Sequence, residues 1–242
     1  MLNESYYYLL LMAFSLSVPL LRSFEKRISY YRSFKALFTS IFLVGVPFII
    51  WDALFTHYGF WGFNPRYLSG IYGLGLPLGE WLFFIIIPYA CIFIYRVTEY
   101  FAPVRAERKW PRQITNFLLG FCGFMSVMYY DRWYTVLTFG FLFLLLLWHY
   151  RLNYTTWLGT FYRAFAIILI PFLLVNGILT GSGIAEEIVW YNAAEMVGQR
   201  IVTIPLEDGF YGMLLILGNL SIYQHLRKRP FFNTPLPNRA PR

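Results

Sequence analysis

The sequence predicts an all-α integral membrane protein of seven transmembrane helices, built as two tandem three-helix repeats in parallel orientation joined by a linker helix. Composition is the first observation behind this prediction. Of 242 residues, 58% are hydrophobic and 13% charged, which is more apolar surface than a soluble chain of this length can bury. Charge placement is the second, and an internal repeat is the third.

A bilayer span needs about 20 mostly apolar residues. Seven windows approach that length: 6–21, 36–56, 78–95, 114–130, 134–150, 161–180 and 206–223, with the first and fourth the least apolar. The first window has no Lys or Arg before it, so it lacks the basic start of a secretory signal and is expected to stay as a span. Counting Lys and Arg in alternate loops gives five from Arg22 to Lys35, five from Arg96 to Arg112, Arg151 with Arg163, and five from Arg227 to Arg242. That places 17 of the 20 on one side, leaving Arg66, Arg132 and Arg200 on the other. Positive loops stay cytoplasmic, so the expected topology puts the N-terminus outside and the C-terminus in the cytoplasm, in the cytoplasmic membrane of a prokaryote. The same asymmetry accounts for the net charge of +8 and leaves no reason to expect a nucleic-acid partner.

The repeat is read directly from residue pairs. Val46 to Thr56 (VPFIIWDALFT) aligns with Ile170 to Thr180 (IPFLLVNGILT), setting Asp52 opposite Asn176; Phe63-Asn64 aligns with Tyr191-Asn192; and Pro77-Leu78-Gly79-Glu80 aligns with Pro205-Leu206-Glu207-Asp208. The offset is 124 residues before the intervening loop and 128 after it, so the second copy has a loop four residues longer. Spans one to three pair with spans five to seven, and an odd fourth span lets both copies enter the membrane in one orientation. The expected division is residues 1–100 for the first repeat, 101–132 for the linker with span four, 133–229 for the second repeat, and 230–242 for a flexible cytoplasmic tail rich in Pro, Asn and Arg.

Ionisable groups at membrane depth are costly and so mark candidate sites. Asp52, Glu80, Glu207 and Asp208 are the acids in or beside spans. The last three follow a proline suited to the first helical position. Their surroundings act in opposite directions: a helix N-terminus favours the carboxylate, and desolvation favours the neutral acid. Neighbouring carboxyls under opposed influences suit a general acid and a general base. A proline followed by an acid also describes an ordinary helix start, and Asp52 also suits a hydrogen bond between spans, as does Asn176. The matched spacing of 16 residues from Asn64 to Glu80 and from Asn192 to Asp208 exceeds what capping alone requires.

Aromatic residues make up 22% of the chain. Trp61 and Phe63, with Trp190 and Tyr191, fall just beyond the outer ends of the second and sixth spans. They suit either an interfacial belt or a cavity wall that shields a cation. The histidines His57, His149 and His225 lie on separate segments without ligand spacing, so no metal is expected. Gly73-Leu-Gly75 does not continue into a dinucleotide fingerprint, and no cofactor is expected. Cys91 and Cys122 sit within apolar runs as small packing residues. The four lysines, Lys26, Lys35, Lys109 and Lys228, all lie in the basic loops, which argues against a retinal Schiff base.

On these residues the chain resembles the FAD-independent, membrane-embedded lycopene cyclases, found as two small subunits or as one fused chain. The resemblance rests on the two-copy arrangement, on Trp61-Gly-Phe-Asn64 with Trp190-Tyr-Asn192, and on the acidic motifs opening the third span of each copy, and it covers about Ser5 to Arg229. It implies a lycopene β-cyclase, an isomerase of the intramolecular lyase type, converting lycopene through γ- to β-carotene in the bilayer. It also leaves room for association with other enzymes of carotenoid synthesis. The family's acidic pair falls on Glu207 and Asp208, which are expected to divide acid and base roles assisted by Glu80 and Asp52. The substrate is expected against Trp61, Phe63, Asn64, Asn176, Trp190, Tyr191 and Asn192. Gly79 stands where the family's first acid would; either the second copy carries the catalysis, or Glu80 serves alone in the first. The alternatives are a non-catalytic or altered-specificity carotenoid-binding relative and a small secondary transporter.

Overall fold

The computed structural model describes residues 4–104, 108–152 and 155–232; the expected tail falls mostly outside them. Long helices form where the apolar windows lie: α1 Tyr7–Arg22, α2 Phe34–His57, α3 Leu78–Phe101, α4 Trp110–Met128, α5 Trp133–Arg151, α6 Thr155–Leu179 and α7 Leu206–Leu226. Five of the helical stretches, those of α1, α2, α3, α5 and α6, are long and apolar enough to cross a membrane. α7 falls short in hydropathy because it carries Glu207, Asp208, Asn219, Gln224 and His225. It is nonetheless deeply enclosed, with Leu215, Leu217, Leu220, Asn219 and Tyr223 fully buried. A helix surrounded by other helices tolerates polar side chains that a lipid-facing one does not.

Packing follows the repeat. α3 lies against α1, α2 and α6, and α7 lies correspondingly against α5, α6 and α2. α2 and α6 continue as helices through the matched prolines Pro47 and Pro171. α4 packs on α5 and α6. Outward faces are apolar, as at Phe42, Phe117 and Ile170, each more than half exposed, which is the surface a lipid solvent accepts.

Short strands join the helices at the end of the bundle that holds the candidate residues. β1 (Trp61–Phe63) pairs antiparallel with β4 (Val189–Tyr191), setting Trp61 opposite Tyr191, Gly62 opposite Trp190 and Phe63 opposite Val189. The repeat alignment also matches Gly62 with Trp190, so this pair is its own counterpart, as a twofold relation between the halves requires. Only glycine fits at position 62, since a Cβ there would stand 2.4 Å from the Trp190 ring. Two hairpins, β2–β3 (Tyr72–Gly73 with Leu76–Pro77) and β5–β6 (Arg200–Ile201 with Ile204–Pro205), lead directly into α3 and α7. Leu74 and Gly75 turn the first at φ 54° and 79°, the signs a type I′ hairpin turn needs at both positions.

The prolines are placed one residue earlier than expected. Pro77 and Pro205 are the N-caps of α3 and α7, not their first helical residues. Each closes a hairpin strand with extended ψ, 155° and 142°, so the strand geometry decides the position. Glu80 and Asp208 thereby become the third residues of their helices. At the opposite end of the bundle, α3 and α7 are tied together where Arg227 holds Glu99 in a two-pronged pair at 2.8 and 2.5 Å.

Candidate functional site

Asp52, Glu80 and Asp208 converge on one cavity of about 370 Å³, walled by Trp61, Phe63, Tyr134, Tyr191 and Tyr211 beside the carboxyls and by Phe83, Phe172 and Ile216 deeper in. From there it continues along α1, α3 and α6 past Ser15, Val18 and Ala90. Val18 and Phe14 on its wall are themselves largely exposed on the outer surface of the bundle. The cavity is thus mostly apolar, with its carboxyls gathered at one end and its wall by α1 reaching the outer surface of the bundle, a composition typical of small-molecule sites.

The polar cluster is doubled. In the second copy Asp208 accepts three hydrogen bonds: from the Tyr134 hydroxyl at 2.6 Å, from Asn176 Nδ2 at 2.7 Å and from the Tyr191 hydroxyl at 3.0 Å. In the first copy Glu80 accepts from the Tyr8 hydroxyl of α1. Its acidic neighbour is Asp52 of α2, which lines the same cavity. Asp52 Oδ1 accepts from Trp61 Nε1 at 2.5 Å. Asp52 Oδ2 and the Thr56 hydroxyl are both buried with no hydrogen-bond partner among the described residues. Burial, and next to it the Asp208 charge, push the Tyr191 phenol well above its ordinary value, so Tyr191 remains a donor.

The aromatic rings form a connected cluster over these acids. Trp61 and Tyr134 meet edge-on at 5.1 Å between centroids, Tyr134 and Tyr191 stack at 5.9 Å, and Tyr211 lies 6.2 Å from Tyr134. Ring faces carry the negative potential that attracts a cation, and all four of these rings line the cavity.

Not every expected residue reaches the cavity. Glu207 is completely buried but turned away: its Oε1 takes the Thr135 hydroxyl at 2.6 Å and the Val197 backbone N–H at 2.7 Å, while Oε2 has no partner. It anchors the segment leading into β5 to α5. Consecutive helical residues point about 100° apart, and with Asp208 in the cavity Glu207 takes the direction that meets Thr135 and the Val197 backbone. Asn64 and Asn192 shape loops. Their side-chain oxygens accept from Arg66 N and Ala194 N at 3.1 and 3.0 Å, starting matched 3₁₀ turns as asparagine does at caps. Trp190 lies partly exposed over Gly62, outside the cavity. Trp61, Phe63, Asn176 and Tyr191 do line it.

Three phenols were missed from the sequence. Tyr8 and Tyr134 are separated by 126 residues, between the two repeat offsets, and extending the alignment into the first spans pairs them. Tyr211, three residues beyond Asp208 on the same face of α7, carries no comparable signal.

A family model described as lycopene cyclase matches residues 5–98 and again residues 131–226. No curated protein and no solved structure matches the chain.

Proposed function

The chain belongs to the lycopene cyclase family, and from that premise we propose that it is a lycopene β-cyclase that closes acyclic carotenoid ends into β-ionone rings by acid–base chemistry. The observation that carries this reading is the convergence of Asp52, Glu80 and Asp208 on one aromatic, apolar cavity. The family supports an enzyme acting on carotenoids in a membrane, and the site chemistry supports the finer assignment.

The reaction follows from what these groups do. A carboxyl adds a proton to the terminal double bond of the bound end group and leaves a tertiary cation. The neighbouring double bond attacks that cation, forming the ring's new carbon–carbon bond and moving the positive charge into the ring. A carboxylate removes a ring proton, and the remaining double bond joins the conjugated chain. Atoms and protons balance, as an isomerisation requires. Trp61, Tyr134, Tyr191 and Tyr211 stabilise the cation by ring quadrupoles, and the apolar walls keep out water that would trap it as an alcohol. A long polyene reaches this site from the bilayer on the side of α1, with one end inside at a time.

The two matched stretches support a reading of residues 1–100 and 133–229 as repeats, with 101–132 as linker. We read all seven helices as spans, α4 and α7 included, with the acid cluster toward the outer face and the basic loops in the cytoplasm.

Expressing the chain in lycopene-accumulating cells and separating their pigments tests the reading. Singly and doubly cyclised carotenes are expected; correctly inserted protein that leaves lycopene unchanged would overturn it. Glu207→Gln is expected to lower the thermal midpoint, by about 1–3 kcal/mol of stability, because its new amide N–H has no acceptor. Ring formation should remain close to the wild-type rate, and a loss as deep as that of a cavity acid would return Glu207 to the site.

A further inference from the structure

The two copies place the same geometry around chemically different partners. Where the first copy has Asp52 beside Glu80, the second has Asn176 beside Asp208. Tyr8 serves Glu80 as Tyr134 serves Asp208. The copies therefore differ in one carboxyl against one amide, and in the Tyr191 hydroxyl that bonds Asp208 where the aligned Phe63 has none.

We propose that these differences divide the labour: the Asp52–Glu80 pair is the proton donor, and Asp208 is the base that finishes the ring. The assignment rests on the cyclase reading and deepens it. Asp52 and Glu80 line one cavity, and Asp52 Oδ2 is buried there without a donor, so a proton held between the two carboxyls is what that oxygen needs. Two such groups packed together do not both ionise, so the first copy always holds an acidic proton facing the cavity. Asp208 meets three donors and no acceptor that needs its proton: an amide N–H and two phenols. Hydrogen bonds of that kind stabilise the charged form, so the second copy holds a carboxylate. The proton leaves the Asp52–Glu80 pair for the terminal alkene carbon. An equivalent proton leaves the ring for Asp208, and between turnovers it returns to the pair, so no net proton is consumed. Pseudo-symmetric halves thus provide an asymmetric site, with acid and base on opposite sides of one end group.

The test is solvent labelling. Membranes carrying the wild-type chain, Asp52→Asn or Asp208→Asn are incubated with lycopene in heavy water, and both the recovered substrate and the rings are examined for deuterium by mass spectrometry. Asp52→Asn should give no rings and unlabelled lycopene, because the shared proton is gone. Asp208→Asn should also cut β-ring formation about 10²-fold or more, yet return labelled lycopene or rings with a displaced double bond, because protonation proceeds without the base. If the Asp208→Asn chain fails to accumulate, Asn176→Asp carries the same test: it lets Asp208 share a proton and should give the same labelled, ring-poor pattern. Label in the Asp52→Asn reaction, or its absence in both second-copy variants, overturns the division of roles while leaving a cyclase. Wild-type rates in the Asp52→Asn and Asp208→Asn chains, or a wild-type chain that forms no rings, overturn the cyclase site itself.

Discussion

Glu80→Gln is expected to lower ring formation by about 10²–10⁴-fold, the range that a positioned general acid contributes, while the protein still inserts and folds. Glutamine keeps the length of the side chain. Its carbonyl still accepts from Tyr8, and its amide offers an N–H to Asp52, whose Oδ2 lacks a well-aligned donor. No buried group is stranded, so the thermal midpoint of the purified protein should change little. What is lost is the second half of the carboxyl pair, and with it a proton held in the cavity. Rate and thermal midpoint measured on the same preparation decide the matter. A fall in both would mark Glu80 as structural, and a rate near wild type would remove it from the chemistry.

Gly79→Ala is expected to have the next largest effect, although it adds only a methyl group at a position that faces no substrate. A Cβ at residue 79 would lie 2.5 Å from Tyr8 Cγ and 2.6 Å from Cδ1. Tyr8 is 1% exposed, so its ring has no free space to retreat into, and α1 must shift. Overpacking of this kind costs about 1–3 kcal/mol, and the shift pulls the Tyr8 hydroxyl from Glu80. A lower thermal midpoint together with a loss of about 10-fold or more in rate is expected, the latter being one lost hydrogen bond to a charged or acidic group. Gly79→Glu, which would give the first copy the acid pair of the second, should be worse, not better. An unchanged midpoint and rate in Gly79→Ala would show that the contact of Tyr8 with α3 is not needed.

Gly79 illustrates where sequence reasoning stops. Aligned with Glu207, it reads as a missing acid in a repeat that ought to have two. In the folded chain the position at 207 faces Thr135 and the Val197 backbone, and the position at 79 faces the Tyr8 ring. Neither is part of the cavity lining, so the departure removes an anchor and leaves the lining unchanged. The asparagines tell a similar story. Their equal spacing to Glu80 and Asp208 is a true repeat signal, but it records matched loop turns ahead of matched helices.

The sequence by itself determined the helical class, the repeat that pairs α1–α3 with α5–α7, and three of the acids that meet, because hydrophobic windows, charge asymmetry and internal similarity are properties of the chain read in order. Only the tertiary structure decided which neighbouring acid faces inward, that Tyr8 and Tyr134 close the two halves of the site, and that Asp52 lies by Glu80 where Asn176 donates to Asp208. Those contacts join residues 28 to 74 positions apart. They depend on a rotation of about 100° per helical residue and on how neighbouring helices pack, and neither quantity is written in the order of residues alone.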